Sequence, residues 1–407
     1  MEELSRALED VFRREKSRVV GALVRVLGGL DVAEEAFQEA ALAALASWPT
    51  SGRPTNPAAW LTTAAKNWAR DAGRHRDIVA RKAPLLVEDE ATAPPLLDPI
   101  GDDELRLLFA CCHPVLTLES QVALTLKVVA GFTTEEIARA FVCPERTIAQ
   151  RIVRAKRTIE EQRVPFVVPE GPELEERLAA VLTVVYLLFN EGHTARAGKL
   201  MRIDLQAEAM RLARVLCDLL PDEPDVYGVY ALIAFGVARA ASRTDARGEL
   251  VLLADQDRSS WDRRAIKEGL VALQRARRLL RRGPRESAGH VLEAEIAACH
   301  ATATTWEATD WTAILRAYDA LVVARPSPVV ALNRAVAVCM CRGPAEALAE
   351  IAPLEEPLAG YHLFHAMRAD FRSRLGEDAR DDYRRALELT QNESERAFLR
   401  RKLDPTG

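Results

Sequence analysis

Thr133-Thr134-Glu135-Glu136-Ile137-Ala138-Arg139-Ala140-Phe141-Val142-Cys143-Pro144-Glu145-Arg146-Thr147-Ile148-Ala149-Gln150-Arg151-Ile152 decides how this chain is read. A threonine followed three residues later by a glutamate is the reciprocal capping signature of a helix start. Ile137, Ala138 and Phe141 fall on one face of that first helix. Pro144 closes a turn, and Ile148 and Ile152 anchor a second helix. This is the helix-turn-helix pattern, in which the second helix enters the DNA major groove. That helix presents Arg146, Thr147, Gln150, Arg151 and Arg154, followed by Lys156 and Arg157. Residues 146–157 hold five basic residues and no acid. Guanidinium and amide groups suit bidentate reading of G and A edges, and the remaining cations suit phosphates. A plain hairpin with a solvated basic face is the bland alternative, but cap, turn and face all agree with a reader.

The rest of the composition narrows the class. Of 407 residues 49% are hydrophobic, enough for two or three packed domains, and 55 basic residues meet 60 acidic ones for a net charge of −5. A uniformly basic nucleic-acid coat is excluded, whereas a local basic patch is not. Aromatics are only 6% while Ala, Leu and Arg dominate, which favours an all-α fold. The start of the sequence, Met1 to Arg6, lacks the basic-then-apolar profile of a signal peptide. The longest apolar run, Leu178 to Phe189, is shorter than the roughly 20 residues that span a bilayer. Seven cysteines (Cys111, Cys112, Cys143, Cys217, Cys299, Cys339, Cys341) show no paired spacing, so a soluble, reduced, cytoplasmic protein away from membranes is expected.

Charge and proline divide the chain. Residues 1–82 are expected to be helical almost throughout. Lys66 to Lys82 holds six basic residues (Lys66, Arg70, Arg74, Arg76, Arg81, Lys82) against two acids. Residues 83–104 hold seven acids, no base and prolines 84, 94, 95 and 99, the composition of a linker. A second helical unit, 105–163, ends at Val164-Pro165 and Pro169-Glu170-Gly171-Pro172. Residues 164–407 form a long helical remainder. Within it Gly343 and Gly376, each closing an expected helix, stand 33 residues apart, near the period of tetratricopeptide (TPR) repeats.

A second motif lies upstream. Asp31-Val32-Ala33-Glu34-Glu35-Ala36-Phe37-Gln38-Glu39-Ala40 belongs to a helix expected to end at Trp48-Pro49, before a loop from Thr50 to Asn56. Pro57 then opens a helix that interleaves Trp60 and Trp68 with Lys66, Arg70, Arg74 and Arg76. Aromatic and basic residues alternate in this way where unstacked bases meet a phosphate-tracking groove. An amphipathic hairpin with buried tryptophans explains the same pattern equally well.

The two motifs in this order, joined by an acidic linker, resemble the bacterial extracytoplasmic-function sigma factors of the sigma-70 family over roughly the first 163 residues. Asp31-x-Ala33-Glu34-Glu35-x-x-Gln38-Glu39 is similar to region 2.2, Trp60-Leu61 with Ala65-Lys66-Asn67 to region 2.3, Arg70 to Arg76 to region 2.4, and the helix-turn-helix to region 4.2. The resemblance implies that Asp31, Glu34, Glu35, Gln38 and Glu39 dock on the β′ clamp of core RNA polymerase. It implies that Lys66, Asn67, Arg70, Arg74 and Arg76 hold the promoter −10 element, with the Thr50–Asn56 loop capturing a flipped base. Arg146, Thr147, Gln150, Arg151, Arg154 and Lys156 would serve the −35 element. The sequence departs from the family at Val142, where glycine is usual, and at Thr62, where an aromatic is common.

The remainder resembles the TPR-like extension of one subgroup, through Tyr186 to His193 and Gly248 to Arg258. Asn190, Glu191, Asp255, Gln256, Asp257, Arg258 and Trp261 are candidate regulatory residues for a protein or ligand partner. A helix start with ordinary caps accounts for the latter cluster as well. An enzyme and a cofactor are not expected. Cys111-Cys112-His113 with Cys143 lacks the two-residue gap of common zinc sites, and Glu191 and His193 point apart on a helix. The main rival is a one-component helix-turn-helix regulator with a helical sensor; a pure TPR scaffold would leave the basic helix unexplained.

Overall fold

The computed structural model describes residues 2–76, 102–141, 143–194, 199–245, 251–282, 289–390 and 392–403. Among them there are only helices and loops. They form two compact units, residues 1–219 and 220–407.

The first unit opens with three helices, α1 (Glu2–Leu27), α2 (Leu30–Ser51) and α3 (Pro57–Arg76), each packed on the other two. Apolar residues recur along α2 with the helical period, so Ala33, Ala36, Phe37, Ala40, Ala44 and Trp48 are buried and the opposite face is left to solvent. Helix α2 runs past the expected stop at Trp48-Pro49 and ends at Ser51. Pro49 costs only one hydrogen bond in the last turn, and the N–H of Gly52 closes the helix on the Trp48 carbonyl at 3.0 Å. The connecting loop is therefore Gly52 to Asn56.

Four helices follow: α4 (Asp102–Cys111), α5 (Leu118–Leu124), α6 (Thr134–Ala140) and α7 (Glu145–Glu161), with a π-helical turn at Thr125–Val129 ending α5. Thr133 and Glu136 form the anticipated reciprocal cap: the Glu136 N–H donates to the threonine hydroxyl and the Thr133 N–H to the glutamate carboxylate. Val142 lies outside the described residues. Ile148, Ile152, Ala155 and Ile159 form the buried stripe of α7.

Two further helices, α8 (Pro172–Thr194) and α9 (Lys199–Leu219), belong to this unit as well. Helix α8 packs on α4 and α5, and α9 on α4 and α6. The proline cluster before 172 thus breaks the backbone without ending the packing, and the compact unit extends beyond the boundary read at 164.

The acidic stretch 83–104 needs a similar correction at its end. Residues 77–101 lie outside the described residues, but Asp103 and Glu104 are helical and buried rather than part of a linker. Asp103 meets Arg106 at 2.8 Å and Arg25 at 3.5 Å, and Glu104 meets Arg211 at 2.9 Å. Two of these three cations are distant in sequence, which is why composition alone reads the segment as solvated.

The second unit contains α10 (Pro224–Ala238), α11 (Arg263–Leu280), α12 (Gly289–Thr302), α13 (Trp311–Ala324), α14 (Pro328–Arg342), α15 (Pro344–Ile351), α16 (His362–Arg374), α17 (Arg380–Leu389) and α18 (Glu393–Leu403). Successive helices from α10 to α18 pack against their neighbours in chain order. Gly343 and Gly376 have φ of 104° and 76°, values that side-chain-bearing residues rarely adopt. Their 33-residue spacing therefore separates two helix ends that each use a glycine at positive φ.

Candidate functional site

Helix α7 stands on α5 and α6, with its isoleucine stripe inward. The same geometry turns Arg146, Thr147, Gln150 and Arg154 outward, and all four are exposed. Val153, 65% exposed, lies among them as an apolar contact within a polar face. Arg151 is half-buried at the edge. Arg157 is directed along its own helix, paired with Glu161 at 2.6 Å.

Lys156 departs from the sequence expectation. Its ammonium lies 2.6 Å from Asp31 and 2.6 Å from Glu34, both on α2, and its side chain is 17% exposed. Ten residues of helix separate it by about 80° from Arg146, on the flank of the exposed face. Lys156 thus serves an ion-pair network and is not part of the outward strip.

On α2 the expected docking residues divide in two. Asp31, Glu35 and Gln38 are exposed, and Leu42 and Leu45 continue their line at helical spacing; Leu42 is 59% exposed. Glu39 is half-buried. Glu34 faces inward, between Lys156 and Lys16, the latter at 3.1 Å. Burial opposes its negative charge, but the two ammoniums outweigh burial and hold the carboxyl below the usual glutamate range. Leu42 and Leu45 escaped the sequence reading, although their spacing from Gln38 places them on the same face.

On α3, Asn67 is exposed, and Lys66 and Arg70 are half-buried. The side chains of Arg74 and Arg76 lie outside the described residues. Trp60 meets the buried Trp48 edge-on at 5.3 Å, and Trp48 meets Phe12 at 5.7 Å. This aromatic group fastens α3 to α2 and α1, so Trp60 is committed to packing. Thr62 is buried and donates to the Ala58 carbonyl at 2.8 Å.

In the second unit the Asp255–Trp261 segment is a structural joint. Arg258, 4% exposed, donates to the carbonyls of His300 at 2.7 Å and Ala303 at 3.1 Å. These carbonyls end α12, whose last groups have no partner within the helix. Asp257 caps the following turn through Ser259, Gln256 is buried, and Trp261 packs beneath the Arg258 guanidinium. Of the segment's candidate residues, Asp255 and the capping Asp257 are exposed. Asn190 is half-buried in α8, and the side chain of Glu191 lies outside the described residues.

Cys111 and Cys112 are fully buried, and burial pushes the Cys112 thiol up to about 12 and Cys111 also upward. Among the described residues no three His, Cys, Asp or Glu side chains are grouped to hold a metal. No described helix is long and apolar enough to cross a membrane.

Comparison with known proteins assigns this arrangement. Residues 11–78 match Sigma-70 region 2, residues 106–159 match Sigma-70 region 4, and residues 177–277 match a family of unknown function, DUF6596. RNA polymerase sigma factor CarQ of Myxococcus xanthus is 34% identical over 131 residues, covering 32% of this chain and 74% of CarQ. The uncharacterized protein R00370 of Rhizobium meliloti (strain 1021) is 43% identical over 399 residues, covering 96% of this chain and 93% of that protein. The chain belongs to the sigma-70 family of RNA polymerase sigma factors. No solved structure matches it.

Proposed function

We propose that the chain is a sigma factor of the extracytoplasmic-function type that binds core RNA polymerase and directs initiation at promoters with its own −10 and −35 elements. Two solvent-facing strips carry this reading: Asp31, Glu35, Gln38, Leu42 and Leu45 on α2, and Arg146, Thr147, Gln150 and Arg154 on α7. The first combines carboxylates, an amide and exposed leucines, a surface suited to a protein partner. Polymerase docking falls to it, at the β′ clamp, with Glu39 at its edge. The second has the donors that base edges require and falls to the −35 element, with Arg151 as a phosphate contact. Lys66, Asn67 and Arg70 hold the −10 element, together with Arg74 and Arg76 further along α3, and the Gly52–Asn56 loop lies at the helix junction where the family captures a base. The second unit is a TPR-like regulatory domain that receives a protein or small ligand. The chain does no covalent chemistry, works in the cytoplasm and has domains near 1–82, 105–163 and 164–407, the last entering the packing of the second through α8 and α9.

Fluorescence anisotropy of the full chain with bacterial core polymerase tests the reading. Saturable binding that a second sigma factor displaces is the expected result. Gln38→Ala with Leu42→Ser should weaken it at least about tenfold, as for loss of an interface anchor, with unchanged helicity. Absence of polymerase binding, combined with tight binding to duplex DNA alone, would favour a one-component helix-turn-helix regulator.

A further inference from the structure

The second unit holds a cavity of about 150 Å³, where α12, α13 and α14 meet Leu253 of the segment that leads to Arg258. Four rings line it: His300 at the end of α12, Trp306 in the following loop, and Trp311 and Tyr318 on α13. Three of them form one corner. The rings of His300 and Trp306 lie 12° from parallel with centroids 6.1 Å apart. Trp311 stands at 75° to the first and 69° to the second, at 5.3 and 4.8 Å. Aromatics are only 6% of the whole chain, so this grouping is a local concentration.

The lining sets the chemistry of an occupant. No Asp, Glu, Lys or Arg side chain lines the cavity, and apart from the rings and Asn333 the lining is aliphatic. A charged group entering it would lose its water without gaining a counter-ion. His300 adds no charge of its own: burial first, then the guanidiniums of Arg258 and Arg239, push its imidazole down to about 4, so the ring is neutral at pH 7. The same guanidiniums oppose a cation, which a box of aromatic rings would otherwise attract. Arg258 is committed to the carbonyls of His300 and Ala303, so it is not offered to an anion. Size points to a single ring, since an apolar cavity of roughly 150 Å³ admits benzene. A ring is also the shape that extends the corner, because aromatic pairs favour edge-to-face and offset packing at roughly 4.5–7 Å between centroids.

Polar groups of the lining are left unmet. The indole N–H of Trp311 and the Nδ1 of His300 are buried without a hydrogen-bond partner, and the half-buried Asn333 amide has none among the described residues. A packed core seldom leaves such groups unpaired, whereas a ligand pocket keeps a few of them to orient its occupant.

We propose that this cavity binds a small neutral aromatic molecule, one ring carrying a hydrogen-bonding group, with His300, Trp306 and Trp311 holding the ring and the Asn333 amide bonding the polar group. This rests on the reading of the second unit as a regulatory domain and names the site and the chemistry of its ligand.

Two probes, para-fluorophenol and fluorobenzene, test the site on the full chain by fluorine NMR line broadening. Both should bind saturably, para-fluorophenol with a Kd under about 1 mM. Phenol should displace it, whereas cyclohexanol, a saturated ring of similar size, and benzoate, its charged counterpart, should each compete at least tenfold less well. Trp306→Leu should weaken both probes at least tenfold. Asn333→Leu, of nearly equal size, should weaken para-fluorophenol at least fivefold and leave fluorobenzene, which has no hydroxyl to bond, within twofold. Should Trp306→Leu misfold by far-UV ellipticity, the split between the two probes in Asn333→Leu supplies the test. No saturable binding of either probe, equal competition by cyclohexanol or benzoate, or unchanged para-fluorophenol affinity in either folded variant would overturn the site. Binding that the variants diminish, in a chain whose transcription with core polymerase is indifferent to saturating phenol, would uphold the site and refute the regulatory reading of the second unit instead.

Discussion

Asp31 and Glu34 lie three residues apart on α2, and each holds an oxygen 2.6 Å from the same ammonium, yet neutralising them should have very different costs. Asp31 is 68% exposed, so water already screens its charge; exposed pairs contribute about 0–1 kcal/mol, and Asp31→Asn should cost less than ~1 kcal/mol. Glu34 is 5% exposed and also meets Lys16 at 3.1 Å. Glu34→Gln leaves two partly buried ammoniums facing a neutral amide, and breaking a buried pair costs about 3–5 kcal/mol. Because Lys156 keeps Asp31, about 3 kcal/mol is the expected loss. Urea titration of the full chain, with hydrogen exchange of the Ile148–Ile159 amides as the local readout, measures both. The Glu34 carboxyl also has its folded pKa below the ordinary 4.5, so its contribution is complete above that pH and is lost as pH falls through the folded value. Glu34→Gln should therefore flatten the acid limb of the stability curve below about pH 4.5, whereas Asp31→Asn should leave most of it. Equal costs for the two substitutions, or an unchanged acid limb in Glu34→Gln, would refute the assignment of Glu34 as a buried counter-ion.

Two further substitutions separate the roles on α7 and in the second unit. Arg154→Ala should lose about 1–3 kcal/mol at one base pair of the −35 element while Lys156→Ala leaves base preference unchanged, as read by holoenzyme binding to a randomised promoter set. Arg258→Met removes the donor to the partly buried carbonyls of His300 and Ala303 at the end of α12; about 1–3 kcal/mol of stability should be lost, and Arg258→Lys should recover little, as seen by calorimetry and by protection of the Ala298–Ala301 amides.

Local signals carried much of this structure. The Thr133–Glu136 cap, the isoleucine stripe of α7 and the glycines at 343 and 376 are all set by residues within one or two turns of each other, and the sequence shows them directly. What it hid depends on pairing between residues far apart in the sequence, from about forty to more than a hundred positions. Lys156 carries the same charge as Arg154 and sits two positions away, so composition placed both on DNA; only the approach of α2, 125 residues earlier, tells them apart. Glu34 likewise looks equivalent to Glu35 until the fold turns one inward. Arg258 sat among acidic and polar neighbours, a surface composition, because its acceptors are backbone carbonyls, which no side-chain pattern reveals.

The same long-range pairing changes where the chain can be cut. A boundary at 164 removes Arg177, which is 4% exposed and donates to the Phe109 carbonyl at 2.9 Å, and Arg211, which neutralises Glu104. It also removes α8 and α9 from the sides of α4, where Leu105, Leu107, Leu108 and Phe109 are all fully or almost fully buried. Fully burying each such side chain is worth about 1.5–3 kcal/mol, so exposing part of this group outweighs the 5–15 kcal/mol of a typical domain only if several are uncovered together. Successive positions on α4 point in successive directions, and a helix buried on all sides does lose several at once. Residues 1–165 should therefore be expressed as an aggregating or partly unfolded chain, whereas residues 1–219, which match the compact unit, should give a cooperative transition and a monomeric elution volume. The match to DUF6596 at residues 177–277 crosses that boundary, so the family of unknown function does not coincide with one packing unit. If 1–165 proved as soluble and as cooperative as 1–219, α8 and α9 would be accessories to region 4 and not part of its core, and loss of activity on truncation could then be charged to regulation instead of to folding.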